Sequence, residues 1–212
     1  MARSPKSYNE IAGRSVERIN ALSDGVFAIA MTLLVLDLRL PAGEAVHSEA
    51  GLLRTLSALS PKFGMYLMSF VTLGIFWSGQ QTQLYYFSRA DRNLAWIHIA
   101  FLAGVALMPF STMLLAEHIE LRTALLFYWL NILALGAILF WSLRYAHGAD
   151  LLKKEVTGAV CEALERRIMV AQALYAFGAA LCIFSTYLSI AFIVLVQLNF
   201  TVAPRIPWLS RQ

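Results

Sequence analysis

Apolar runs alternate with short polar breaks along most of the chain. Six runs stand out, at about 19–40, 62–87, 94–115, 122–143, 167–184 and 187–204. Each approaches the roughly 20 apolar residues that a helix needs to cross a bilayer. The pattern predicts an all-α integral membrane protein with six transmembrane helices in one domain, residues 1–212. The breaks carry turn and charge signals: Pro41-Ala42-Gly43, Ser60-Pro61, Ala90-Asp91-Arg92 and a longer charged stretch from Arg144 to Arg167. The break around Ser185-Thr186-Tyr187 is the weakest. Between Glu44 and Ser60, Leu52, Leu53, Leu56 and Leu59 recur at helical spacing, predicting a short helix on the outer face. The stretch LLKKEVTGAVCEALERR predicts extension of the fourth and fifth helices beyond the membrane.

The first run has two candidate stripes. Leu22, Val26, Ile29, Leu33, Leu36 and Leu40 step by four and three, the seam spacing of packed helices. Gly25, Ala28, Thr32, Val35 and Arg39 form a second stripe of mostly smaller groups. The run is apolar nearly all round, so periodicity leaves pore wall, helix seam and lipid contact all open.

Composition fits the pattern: 59% of residues are hydrophobic and 14% charged, far from the balance of a soluble domain. The N-terminal stretch is polar and basic, unlike a cleaved signal. The net charge of +4 reflects orientation rather than nucleic-acid binding. With a cytoplasmic N-terminus, Arg3, Lys6, Arg14, Arg18, Arg89, Arg92, Arg144, Lys153, Lys154, Arg166, Arg167, Arg205 and Arg211 all fall inside. Only Arg39, Arg54, Lys62 and Arg122 fall outside. The positive-inside rule then puts both termini in the cytoplasm. Cys161 and Cys182 offer neither a disulfide framework nor metal-ligand spacing.

Asp24 is the most informative single residue. A carboxylate in a spanning helix is costly unless it meets protein or water. Arg18 is six residues away and points to a different side of the helix, so partners are expected from other helices. Gln80, Gln81, His98 and Gln172 lie at similar depth. With Arg18, Ser23 and Asp24 they form a candidate polar layer that serves as interhelical glue or as a specific architectural device. For Asp37, two readings stay open: concentrating cations at an outer mouth, or anchoring the helix through a neighbour such as Arg39.

The run Arg18-x-x-x-Leu22-Ser23-Asp24-Gly25-Val26-Phe27-Ala28-Ile29-Ala30-x-Thr32-Leu33-Leu34-Val35-Leu36-Asp37 closely resembles the signature of the transmembrane protein 175 family, lysosomal potassium channels and their prokaryotic relatives. Phe76-Trp77 and Pro109-Phe110-Ser111-Thr112 are similar to further family positions. The family pattern reads R-x-x-x-F-S-D, so Leu22 departs from it. Trp77-Ser78-Gly79-Gln80-Gln81 lacks the histidine of many relatives, and His98 stands where many carry asparagine.

The resemblance implies one six-helix set per subunit and a homotetramer with a central pore lined by the first helix. It implies an isoleucine narrowing at Ile29, with Leu33 and Leu36 one and two turns outward, and a role for Thr32 in cation preference. It also implies passive conduction of K+ as the permeant ion, without a cofactor, in the cell membrane of a prokaryote. Partners would be further copies of the chain and the lipid bilayer, not nucleic acid.

No TVGYG-like filter occurs, and Thr72-Leu73-Gly74 is only a superficial echo. Aliphatic side chains gate by dewetting but cannot replace an ion's water as carbonyl oxygens do. Modest potassium preference is therefore expected. The competing readings are a proton-coupled secondary transporter using Asp24 and a non-conducting scaffold. An intramembrane enzyme is disfavoured by the lack of H-E-x-x-H, a G-x-S-G serine or a second mid-membrane aspartate.

Overall fold

The computed structural model describes residues 15–40 and 48–202. Helix α1 spans Val16–Leu33. Ser15 caps it, its Oγ accepting the Arg18 N–H at 3.2 Å, and Glu17 sits favourably in the first turn. A 3-10 turn, Leu34–Asp37, continues it. Helix α2 spans Glu49–Ala58, capped by Ser48 through the Gly51 N–H at 3.1 Å. Helix α3, Ser60–Tyr86, follows after Leu59 alone and is bent 48° from α2. Pro61 falls in the first turn of α3, where no intrahelical N–H is needed.

Helix α4 spans Arg92–Glu117, with Asp91 as its cap, and α5 spans Arg122–Gly148. Helix α6, Gly158–Ala180, ends in a 3-10 turn, Leu181–Ile183, and α7 spans Thr186–Val202. Helix α4 sits centrally, packed between α1, α3 and α5; α6 packs on α5 and α7, and α7 returns to α3.

Burial explains the centre. Along α4, Leu94, His98, Phe101, Val105, Met108, Thr112 and Leu115 are buried; along α5, Leu125, Tyr128, Ile132, Leu135, Leu139, Ser142 and Ala146 are. Both sets alternate steps of three and four, so the antiparallel pair meets along a heptad-like seam. Phe101 contacts Phe27 of α1 and Phe76 of α3, with ring centroids 6.0 and 6.3 Å apart. One side of α1 closes this core: Ile19, Ser23, Phe27 and Ala30, followed by Leu34 of the turn.

At the end of the bundle carrying Arg89, Arg92 and Arg144, two loops are clasped through their backbones. Ser88 N–H donates to Leu151 O at 2.8 Å, and Lys153 N–H donates to Tyr86 O at 2.9 Å. Phe87 and Leu152 form an isolated antiparallel bridge between them. Asp150 makes the turn at φ 54°, in the left-handed region that Asp tolerates better than most residues.

Several expected boundaries shift. The first run was expected to be helical over 19–40, but α-helical geometry stops at Leu33 and tightens into the 3-10 turn. The fifth helix begins at Gly158, ahead of the apolar run at 167, as the expected extension of that helix requires: its first two turns are amphipathic and charged, and Cys161 buries against protein. The short helix expected in 44–60 is present as α2, which runs directly into α3 with no intervening loop. Residues 203 and 204 of the last expected run, the Pro41-Ala42-Gly43 break and residues 44–47 lie outside the described residues.

Among the described residues, four helices have the length and apolar character to cross a membrane, and the bent α2–α3 pair brings the number to five. The expected sixth span corresponds to α7, 17 residues long and strongly apolar but below the length of a full span. This is a multi-pass, all-helical membrane architecture.

Candidate functional site

The free side of α1 is an exposed apolar helix face. Ile29 is 61% exposed, Leu33 43% and Leu36 54%, whereas Phe27 and Ala30 are nearly inaccessible. At about 100° per residue, the direction opposite the buried stripe falls on Ala21, Gly25, Ala28 and Thr32, with Ile29 on its flank. The second stripe, through Gly25, Ala28 and Thr32, therefore faces away from the subunit core, while the first lies on its flank, with Val26 partly buried against that core. Thr32 donates its hydroxyl to Ile29 O at 2.8 Å, which ties the side chain down and leaves its oxygen lone pairs outward.

The 3-10 turn has a geometric effect. Residues three apart eclipse one another in this helix type, so Leu36 stays stacked beyond Leu33 although the α-helix has ended. Leu40, the last residue of the expected stripe, lies past the turn. Asp37 is half-buried at the end of the turn. The pairing with Arg39, one of the two readings left open for Asp37, does not form: Arg39 Nε donates to Leu36 O at 3.0 Å instead, capping a carbonyl left free by the turn.

Asp24 finds the interhelical partners expected of it, both on α3. Trp77 Nε1 donates to Asp24 Oδ1 at 2.8 Å and Gln81 Nε2 donates to the same oxygen at 3.0 Å. Residues 77 and 81 are one turn apart and so share a helix face. That spacing was available in the sequence, yet Trp77 was not read as a ligand of the carboxylate. Arg18 does not pair with Asp24, as the six-residue separation predicted. Ser23 is fully buried and donates to Ile19 O at 2.8 Å within its own helix.

The remaining polar candidates form separate groups rather than one layer. Gln80, next to Gln81, points the other way: Nε2 sits 3.0 Å from His98 Nδ1, and His98 Nε2 sits 3.1 Å from Ser142 Oγ. With the Gln80 amide nitrogen as donor, His98 carries its proton on Nε2 and donates it to Ser142. All three residues are buried. Ser142 was not singled out in the sequence, but it occupies a seam position of α5, as His98 does on α4. Gln172 lies apart, its Nε2 at 3.5 Å from Ile132 O.

A further buried knot was not anticipated from the sequence, although Thr112 closes the Pro109-Phe110-Ser111-Thr112 stretch. The Tyr128 hydroxyl meets Ser69 Oγ at 3.2 Å and Thr72 Oγ1 at 3.1 Å; Thr112 donates to Ser69 at 2.7 Å, and Gln197 donates to Thr72 at 2.6 Å. It joins α3, α4, α5 and α7.

These features define a class: a multi-pass helical membrane protein whose first helix is held from behind by a hydrogen-bonded carboxylate and is apolar on its free side. A potassium channel of Chamaesiphon minutus is 31% identical over 187 residues, 86% of this chain and 92% of that protein. The family model described as Endosomal/lysosomal potassium channel TMEM175 matches residues 18–109. The chain belongs to the TMEM175 family.

A potassium channel of Streptomyces collinus is 39% identical over 103 residues, 49% of this chain and 48% of that protein. The endosomal/lysosomal proton channel TMEM175 of Gallus gallus is 36% identical over 113 residues, 50% of this chain but 22% of that longer protein. Among solved structures, a lysosomal potassium-selective channel TMEM175 homolog from Chamaesiphon minutus superposes with a TM-score of 0.78 at 27% identity, over 90% of this chain and 98% of that one. The family and this structural neighbour are ion channels, not enzymes.

Proposed function

We propose that the chain is the subunit of a potassium-preferring cation channel, residues 1–212 forming one membrane domain with both termini cytoplasmic in a prokaryotic cell membrane. Four copies assemble with their α1 free faces toward a common axis. Ile29, Leu33 and Leu36 form a hydrophobic constriction that closes by dewetting. Thr32 supplies hydroxyl oxygens beside the narrowest ring, and Asp37 raises the local cation concentration at the outer mouth. K+ is the permeant ion, passing down its gradient without a cofactor and without a carbonyl filter.

The observation that carries this reading is the asymmetry of α1 in a chain whose relatives from Chamaesiphon minutus and Streptomyces collinus are named potassium channels. One side packs into its own subunit, while Ile29, Leu33 and Leu36 project away from it. Asp24 accepts two hydrogen bonds from α3, which supports anchoring rather than the carrier role of a proton-coupled transporter.

Purified protein in liposomes, driven by a potassium gradient, tests the proposal. Expected are passive K+ flux and a reversal potential that follows the gradient, with Ile29→Asn raising leak or weakening discrimination against Na+. Unchanged flux and discrimination across substitutions at Ile29, Leu33 and Leu36 overturns the constriction. Strict coupling to protons with saturable turnover overturns the channel.

A further inference from the structure

A crevice separate from the α1 face opens between α3, α5 and α6, with Thr82 and Arg167 among its lining residues toward the basic end of the bundle. Its walls are mostly apolar, yet three polar atoms along it lack a partner: Gln83 Oε1, Gln172 Oε1 and the Tyr175 hydroxyl. Gln83 and Tyr175 are each only 2% exposed. The two amides are oriented by their other ends. Gln83 Nε2 donates to Leu139 O at 3.1 Å and Gln172 Nε2 donates to Ile132 O at 3.5 Å, so both oxygens remain as acceptors.

Gly136 makes room for Gln172. A Cβ built on this glycine would stand 1.8 Å from Gln172 Nε2. The α5–α6 seam is thus shaped around an amide rather than around an apolar side chain.

We propose that this crevice is an internal water-binding site reaching from the basic end toward mid-span. Two unpaired acceptors and one hydroxyl call for a small ligand that donates to both amides and accepts from the phenol. Water does this, and buried unpaired polar groups lining a cavity are its usual partners. An acyl chain leaves all three atoms unpaired. A cation finds no carboxylate among the described lining residues and meets Arg167 instead. Tyr175 lies eight residues past Arg167, about 12 Å along α6, so the hydrated crevice extends roughly that far into the subunit.

The inference does not rest on conduction, and hydroxyl-radical footprinting of the full chain in lipid nanodiscs tests it directly. Short X-ray pulses generate radicals from water held beside a side chain, and mass spectrometry locates the labelled residues. Tyr128 is an internal reference: it is equally buried, but its hydroxyl is already bonded to Ser69 and Thr72. Tyr175 is expected to label several-fold faster than Tyr128. In Gln172→Leu, Tyr175 labelling is expected to fall toward the Tyr128 rate, with an unchanged size-exclusion profile confirming the fold.

Equal rates at Tyr175 and Tyr128 in the unaltered protein overturn the proposal whether or not the variant folds. So does a high Tyr175 rate in detergent that disappears on adding phospholipid, because lipid then fills the crevice. A Tyr175 rate unaffected in folded Gln172→Leu also overturns it, because these amides then do not hold the water.

Discussion

Gln80 and Gln81 are consecutive residues that serve different parts of the molecule. Gln80 is fully buried and faces the α4–α5 pair, where His98 and Ser142 complete a neutral chain of hydrogen bonds. Gln81 faces α1, where it helps hold a carboxylate at a more open seam. The central pair is buried over 39% and 44% of its best apolar windows, but the first span over only 22%. The interior is fixed by interlocking side chains along a whole seam. The first helix is attached by a narrow stripe and two directional bonds to one oxygen, an arrangement that leaves its other side for partners.

Substitutions separate these two modes of attachment. The largest loss of stability is expected from His98→Leu, which strips Gln80 and Ser142 of their partners at once. At about 1–3 kcal/mol for each buried group left unmet, the fold loses roughly 2–5 kcal/mol, visible as a lower melting midpoint in detergent. Asp24→Ala is expected to cost less stability, about 1–2 kcal/mol, but to disturb assembly more: light scattering should show loss of the proposed tetramer. If instead His98→Leu disassembles the oligomer and Asp24→Ala only lowers the melting point, the contrast between the two regions is reversed. Gln81→Leu retains the Trp77 bond to Asp24 and should cost about 0.6 kcal/mol with the oligomer intact. Gln80→Leu in the interior should cost more than Gln81→Leu, and equal costs for the two neighbours would erase the distinction.

Much of this arrangement was legible in the sequence. The apolar runs located the helices, the leucines after Glu49 marked α2, and the polar break near Ser185 separated the last two elements. The cost of a carboxylate in a membrane predicted that Asp24 would bond to other helices. The orientation of α1 was not legible, because a helix apolar all round offers several stripes of similar quality. Its buried side was decided by contacts such as that of Phe27 with Phe101, which is distant in sequence.

The end of α1 at Leu33 was hidden for the same reason: apolar residues continue past it, and no proline or glycine marks the change of helix type. The extension of α6 ahead of its apolar run was legible in the stretch before Arg167, but its start at Gly158 was not, since only burial of Cys161 and packing of Leu164 fix its apolar side. Tyr128 and its hydroxyl partners lie on four helices, so no local window contains the knot. Ser142 lay within reach, because steps of three and four from Tyr128 lead to it; the seam of α5 was simply not traced.

The backbone clasp between the loop after α3 and the loop after α5 has a consequence for inheritance of change. Its bonds run from Ser88 N–H to Leu151 O and from Lys153 N–H to Tyr86 O, and main-chain atoms survive nearly every substitution except proline. Exposed side chains there, such as Lys154 and Glu155, are therefore free to drift, acquiring or losing charge, while buried Phe87, Ala90 and Leu151 and the spacing of the helix ends stay constant. This corner of the protein can be rewritten on its surface without being rebuilt.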